Sequence, residues 1–264
     1  MSRRKPPRVA SIAANEPRVR LIRQSNAGKF VALNRGLREA TTDAVITIDA
    51  DTLILPGTIR SLLAPLADPS IDAVCGNVQV GNVRNLLTAC QDVEYVTSQN
   101  YDRRAFDSLN CINVVPGATG AWRRQRVLDV GGYSGDTLTE DADLTLCLLR
   151  SGGRIVYAGD ARSVTEAPQT MRALFKQRFR WSFGTFQCLW KHRSALGRGT
   201  LGWVALPNVV VFQILFPLLS PIGDAVLLLS LIKGDLSAIA AGYLTFVVLD
   251  LIASVAAFRL DGRP

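Results

Sequence analysis

The chain has 264 residues, a formal net charge of +8 at pH 7 and a mean hydropathy of +0.19, with the apolar excess gathered after residue 203. Its one histidine and five scattered cysteines, none in C-x-x-C spacing, argue against a histidine triad, a zinc centre and a disulfide framework. Any metal must then be held by carboxylates, which selects a hard ion such as Mg²⁺ or Mn²⁺, and the basic balance favours anionic partners.

Residues 1–14 open with MSRRKPPRVA, basic and Pro-rich, and read as a disordered lead-in. RVRLI (18–22) reads as a short strand. NAGKFVALNRGLREA (26–40) reads as a helix that spaces Val31, Leu33 and Leu37 across one face. DAVITID (43–49) is a continuous apolar run, the pattern of a strand buried on both faces. LPGTIRSLLAPLAD (55–68) predicts a helix with Pro at its start, IDAVCGNVQV (71–80) a strand, and 83–106 a long amphipathic helix. INVVPGATGAWRR (112–124) reads as strand and turn, and RVLDVGGY as a short helix ended by glycines. TEDADLTLCLLRSGG (139–153) predicts a helix with Thr139 as N-cap, acids in its first turn and Gly152 at its end. RIVYAG (154–159) is a further strand. The alternation predicts an α/β domain over 15–168 with a mostly parallel sheet and ligands beyond the carboxyl ends of its strands.

Residues 169–200 hold a basic, aromatic helix, ALFKQRFRWSFGTFQCLWKHR, which reads as an amphipathic helix lying on a membrane face. Two long apolar runs follow, 205–232 and 236–258, with Asp224 and Asp250 as their only charges. Each is long enough to cross about 30 Å of hydrocarbon. Pro207, Pro217 and Pro221 predict a kink in the first. Basic residues before the first run (191–193, Arg198) and after the second (Arg259, Arg263) put both ends, and with them the α/β domain, on the cytoplasmic side.

Four places could carry chemistry. Asp49 and Asp51, at a strand end, could share a divalent cation that bridges a diphosphate, or lie on a solvated turn. Glu140 and Asp141 could complement a helix dipole, or supply a general base at the helix opening. In QRFRW (177–181), the arginines could clamp a diphosphate and Trp181 stack on a sugar, or the whole could be membrane-facing helix. Lys29 and Asn34, near a helix start, could contact a nucleotide.

The order of these motifs, with D-x-D, then T-E-D, then Q-x-x-R-W just before paired apolar spans, resembles the processive family-2 glycosyltransferases: cellulose, chitin, hyaluronan and poly-N-acetylglucosamine synthases. GKFVALNRGLREATTDAVITIDADT and VVPGATGAWRR are similar to further segments of that family. The resemblance implies a glycosyltransferase A-type, Rossmann-like nucleotide-sugar domain followed by transmembrane helices. It implies that Asp49 and Asp51 bind the donor diphosphate through Mg²⁺ or Mn²⁺, and that Asp141 is the general base with Glu140 beside it. Gln177, Arg180 and Trp181 would hold the donor diphosphate and the acceptor end, and Lys29 and Asn34 the nucleotide. The implied reaction is inverting transfer from a UDP-sugar, with UDP-N-acetylglucosamine leading, to a polysaccharide acceptor at the inner (plasma) membrane. A second glycosyltransferase or export subunit is an implied partner; nucleic acid is not. Two family motifs, P-x-Y-N-E and D-D-x-S at the ends of the first two strands, are not in the chain. The sheet is therefore expected to have an uncovered edge. A truncated, non-catalytic remnant or a membrane-bound partner subunit of a split glycosyltransferase is the alternative expectation.

Overall fold

The structure is a computed structural model that describes residues 6–233 and 237–262. Helix α1 (Pro6–Asn15) comes first, where an unstructured lead-in was expected; residues 1–5 of that lead-in lie outside the described residues. A non-helical segment leads to α2 (Lys29–Glu39), β1 (Ala44–Thr47) and β2 (Leu53–Ile54). Then come α3 (Thr58–Leu63) and β3 (Ala73–Val80). One continuous helical stretch follows, made of α4 (Leu86–Glu94), a π-helical segment (Tyr95–Tyr101) and α5 (Asp102–Ser108). After β4 (Gly120–Arg123) come α6 (Arg124–Asp129), α7 (Glu140–Arg150), β5 (Ile155–Thr165) and α8 (Met171–His192).

Helix α4 starts where the sequence can cap it. The Asn85 side chain accepts the Thr88 N–H at 2.9 Å, and the Thr88 hydroxyl accepts the Asn85 N–H at 3.0 Å. This reciprocal pair satisfies two donors that the first turn leaves without helical partners.

The strands form one sheet in the order β1-β4-β3-β5-β2. Only β3 and β5 run parallel; the β1–β4, β3–β4 and β2–β5 pairs are antiparallel. The expected mostly parallel sheet is therefore a mixed one. Alternation in sequence identifies strands and helices, but strand direction depends on where each connection returns. The chain enters β4 from the irregular segment 111–119, not from a helix that crosses over the sheet. RVRLI (18–22) forms no strand: Arg18 and Arg20 project to Glu16 and Glu39 in solvent. Strand β1 ends the sheet with one neighbour and is half-buried, where burial on both faces was expected.

Alternate residues of the central strands feed opposite layers, as a period of two requires. Ala73, Cys75 and Trp122 join the core under α2, α6, α7 and α8, with Leu37, Val127, Leu144, Leu148 and Cys188. Val74 and Ala121 face the other way, onto Leu62 and Leu66 beside α3. Trp122 is fully buried, and its indole N–H donates to the Thr47 hydroxyl at 3.0 Å, which ties β4 to the last residue of β1.

Two long apolar helices close the chain. The first, Leu201–Lys233, has a mean hydropathy of 2.0 and contains α9 (Leu206–Asn208) and α10 (Phe216–Lys233). Its π-helical stretches, Leu201–Ala205 and Val209–Leu215, lie just before Pro207 and Pro217, where a missing N–H disturbs the regular ladder. The second, α11 (Ser237–Asp261), reaches a mean hydropathy of 1.8 over Gly242–Asp261. Both are long and apolar enough to cross a bilayer, and nearly all of that surface is uncovered. Both are also rooted in the globular part: Leu201, Ala205 and Leu206 belong to the main core. The buried Asp261 carboxylate accepts from the Asn77 amide at 2.8 Å.

Trp122→Ala removes the largest fully buried side chain and the bond to Thr47. The expected cost is about 3–5 kcal/mol, read from denaturant unfolding of the detergent-solubilised protein.

Candidate active site

The site is assembled from four separate stretches of chain. Gly28, at φ 99°, turns the chain into α2, whose first residue is Lys29. The Lys29 ammonium reaches Asp49 Oδ1 at 2.7 Å and Glu140 Oε1 at 2.9 Å. Asp49 sits two residues past β1, at the start of a turn closed by the Thr52 N–H on the Asp49 carbonyl. Glu140 and Asp141 open α7. Asp141 Oδ2 accepts the Gly117 N–H at 3.0 Å, and its Oδ1 accepts the N–H of Ala142 at 2.9 Å. Gly117 allows this approach: a Cβ there would lie 2.7 Å from the Lys29 ammonium.

These groups line one cavity of about 320 Å³. Tyr133 forms part of its wall, and its hydroxyl bonds the Thr47 side chain. Asn34 does not line the cavity. Its amide donates to the Tyr133 carbonyl at 2.7 Å and accepts the Tyr133 N–H at 2.8 Å, so it fixes the wall residue. Gly131 and Gly132, at φ 92° and 75°, turn the chain into this clasp. Tyr133, Thr47 and Gly117 were not singled out from the sequence; the paired glycines before Tyr133 were the available signal.

Electrostatics divide the two neighbouring acids. Burial pushes the Asp141 carboxyl above the usual carboxylate range; the Glu140 charge adds to this, and the Gly117 N–H and Lys29 oppose it. Burial alone would lower Lys29. The hydrogen bonds and charges of Asp49 and Glu140 outweigh it and raise Lys29 to about 12. Carboxylates outnumber cations among the groups lining this cavity, which disfavours an anionic ligand and favours a cation.

The remaining sequence candidates lie apart. Asp51 is exposed on the turn and has no ion-pair partner among the described residues. Gln177, Arg180 and Trp181, on α8, do not line the cavity. Trp181 packs on Val78, Val80, Tyr95 and Ala167, with the Arg178 guanidinium 4.7 Å from its ring centre. Arg178 also pairs with Glu94 (Nη2–Oε2 2.7 Å). Gln177 Oε1 is buried without a partner among the described residues. Arg180 donates to the Leu138 carbonyl at 3.3 Å and so touches the loop just before Glu140. Thr139 stands at the N-cap position of α7 but makes no capping bond; its hydroxyl faces Cys188 Sγ at 3.5 Å instead.

A mixed sheet between helical layers, with acids gathered at strand and helix ends, is the glycosyltransferase A-type fold. A mannosyltransferase from Pyrobaculum calidifontis, solved with GDP-mannose and Mn²⁺, aligns with a TM-score of 0.69. That alignment has 22% identity and covers 98% of this chain and 74% of that one. The family model described as "Glycosyl transferase family group 2" matches residues 44–257, and the chain belongs to that family of glycosyltransferases. Among curated relatives, the poly-β-1,6-N-acetyl-D-glucosamine synthase of Staphylococcus aureus (strain COL) is 32% identical over 167 residues, 63% of this chain and 40% of the relative. The synthase of Staphylococcus epidermidis is 30% identical over 165 residues, 62% of this chain and 40% of the relative. The aligned part of this chain thus spans 40% of the length of these relatives.

The Asp141 pKa is raised in the fold. Its favourable contribution is therefore present below the unfolded carboxyl value, about 3.9, and is lost as pH rises through the folded value. Asp141→Asn is expected to raise the melting temperature at pH 7–8, with the gain vanishing near pH 3.5. Thermal melts across that range check this.

Proposed function

We propose that the chain is the catalytic part of a membrane-bound, inverting β-glycosyltransferase that transfers N-acetylglucosamine from a UDP-sugar to a growing polysaccharide. One observation carries the reading: a desolvated Asp141 shares a cavity with Asp49 and Glu140, which a single lysine holds together. The name of the staphylococcal relatives supports N-acetylglucosamine and a β-linked product.

Asp141 is the base. Its raised pKa makes it a better proton acceptor than an exposed carboxylate, and its fixed oxygens can take the proton of an acceptor hydroxyl. The other two carboxylates of the cavity, Asp49 and Glu140, are both held by the Lys29 ammonium and so are weakened as nucleophiles, which fits single displacement with inversion. Asp49 and Asp51 would hold Mg²⁺ or Mn²⁺, and the fit is chemically sound. Both offer hard oxygen donors, Asp51 is exposed, and the local negative excess calls for a cation. When bound, that ion would neutralise the donor diphosphate and its leaving charge. Lys29 keeps Asp49 and Glu140 oriented and adds a second positive charge on the donor side. Asn34 holds Tyr133 in the wall. Gln177, Arg180 and Trp181 serve the acceptor side, and of the three Arg180 touches the loop before the base, at the Leu138 carbonyl. In this reading the enzyme is a multi-pass protein of the plasma membrane with its catalytic domain cytoplasmic, and the two long apolar helices support it. A second reading, a partner subunit that needs another polypeptide, is favoured by β1: the strand leading to Asp49 has one neighbour.

UDP release from UDP-N-acetylglucosamine by membranes bearing the protein tests the first reading. Asp141→Asn is expected to lower turnover by roughly 10²–10⁴-fold. Unchanged turnover would remove Asp141 from its role. Chelation with EDTA is expected to stop UDP release, with Mg²⁺ or Mn²⁺ restoring it in wild type but not in Asp49→Asn. Full activity in EDTA would sink the metal assignment.

A further inference from the structure

The single histidine of the chain is not in the cavity. His192 is fully buried at the end of α8, and its Nε2 lies 2.9 Å from Asp143 Oδ1, in the first turn of α7. The other imidazole nitrogen, Nδ1, is 3.1 Å from the Arg150 guanidinium at the far end of α7. A guanidinium can only donate, so Nδ1 accepts and Nε2 carries the hydrogen given to Asp143. The imidazole is therefore neutral, in one tautomer, with both nitrogens satisfied. Lys191 completes the group, donating to Asp143 Oδ2 at 2.8 Å and to Asp136 at 3.1 Å. The Asp143 side chain is 1% exposed. Burial alone would raise its pKa, but the hydrogen bonds of His192 and Lys191 hold it below the usual carboxylate range.

A metal is the other occupant to weigh, because ligand atoms of Asp143, Cys147 and His192 lie within 4.8 Å of one another. The surroundings oppose it. Lys191 and Arg150 bring two positive charges onto the carboxylate and the imidazole, and neither imidazole nitrogen is free. The arrangement is that of a bolt between helices. It is placed where α7 needs one, since Thr139 does not cap the helix and the two acids of the cavity are its first residues. Residues 143 and 150 lie about two helical turns apart, so one imidazole secures α7 along its length.

We propose that His192, acting through Asp143, is a positioning residue for Asp141: the buried imidazole sets how α7 lies on α8 and so aims the base into the cavity. This rests on the reading of Asp141 as the general base.

The test uses the full chain in nanodiscs. His192→Ala is expected to lower kcat for UDP release by roughly 10²-fold, the scale of a misplaced catalytic group, with donor KM within about twofold. His192→Gln keeps an N–H donor near the Nε2 position and recovers most of kcat. His192→Asn, whose amide falls short of Asp143, does not. Equal kcat in all three folded variants and wild type overturns the proposal. A readout independent of turnover comes from the Asp141→Asn melting gain at pH 7–8. If His192 holds Asp141 in its desolvated place, that gain shrinks by at least half in His192→Asn and in His192→Ala. An undiminished gain in both overturns the positioning role. Full turnover in Asp141→Asn, with the gain still dependent on His192, instead sinks the base reading alone. Imidazole ¹⁵N shifts of this lone histidine should report the Nε2–H tautomer that the two contacts require. A shift on adding Zn²⁺ would replace the bolt by a metal site and overturn it.

Discussion

One ammonium group, that of Lys29, stands between carboxylates from two distant parts of the chain, Asp49 after β1 and Glu140 at the head of α7. Bringing these acids together without a cation would set like charges against each other in a half-enclosed space. With Lys29 present, the turn after β1, the start of α2 and the start of α7 converge on one point. Gly117 is tied to the same constraint, because a side chain there would occupy the space of the ammonium.

Around that point the structure uses polar clasps in place of a continuous apolar wall. Asn34 holds both backbone groups of Tyr133, and the Thr47 hydroxyl takes the Trp122 indole and the Tyr133 hydroxyl. Such bonds fix orientation as well as distance, which a cavity needs if one acid is to remain desolvated beside another that is ion-paired. The globular part also holds both long helices directly, through Leu201 and Leu206 in the core and Asp261 on β3. The orientation of the cavity relative to the apolar helices is thereby set by buried contacts.

The motifs read from the sequence divide according to how local their meaning is. Asp49, Glu140, Asp141 and Lys29 were legible because each sits where an element begins or ends, and those positions follow from short-range pattern. The three residues of QRFRW were legible as a helix, but not as lying outside the cavity. Trp181 faces an apolar cluster, which depends on how α8 crosses the sheet. Asn34 resembled a ligand contact because a polar residue near a helix start looks the same whether it meets a nucleotide or a backbone. His192, as a lone histidine, argued from the sequence only against a triad; its partners Asp143 and Arg150 are more than forty residues away in sequence.

By itself the sequence determined the order and kind of most elements, the two apolar helices, the family motifs and the acids available for chemistry. These follow from periodicity, end signals and composition, all of which act over a few residues. The tertiary structure alone decided that the sheet is mixed, that RVRLI is no strand, and that Tyr133, Thr47 and Gly117 join the site. It also decided which of two adjacent acids is paired and which is desolvated. Strand direction, burial and charge pairing are properties of contacts between segments far apart in the chain, and no local pattern encodes them.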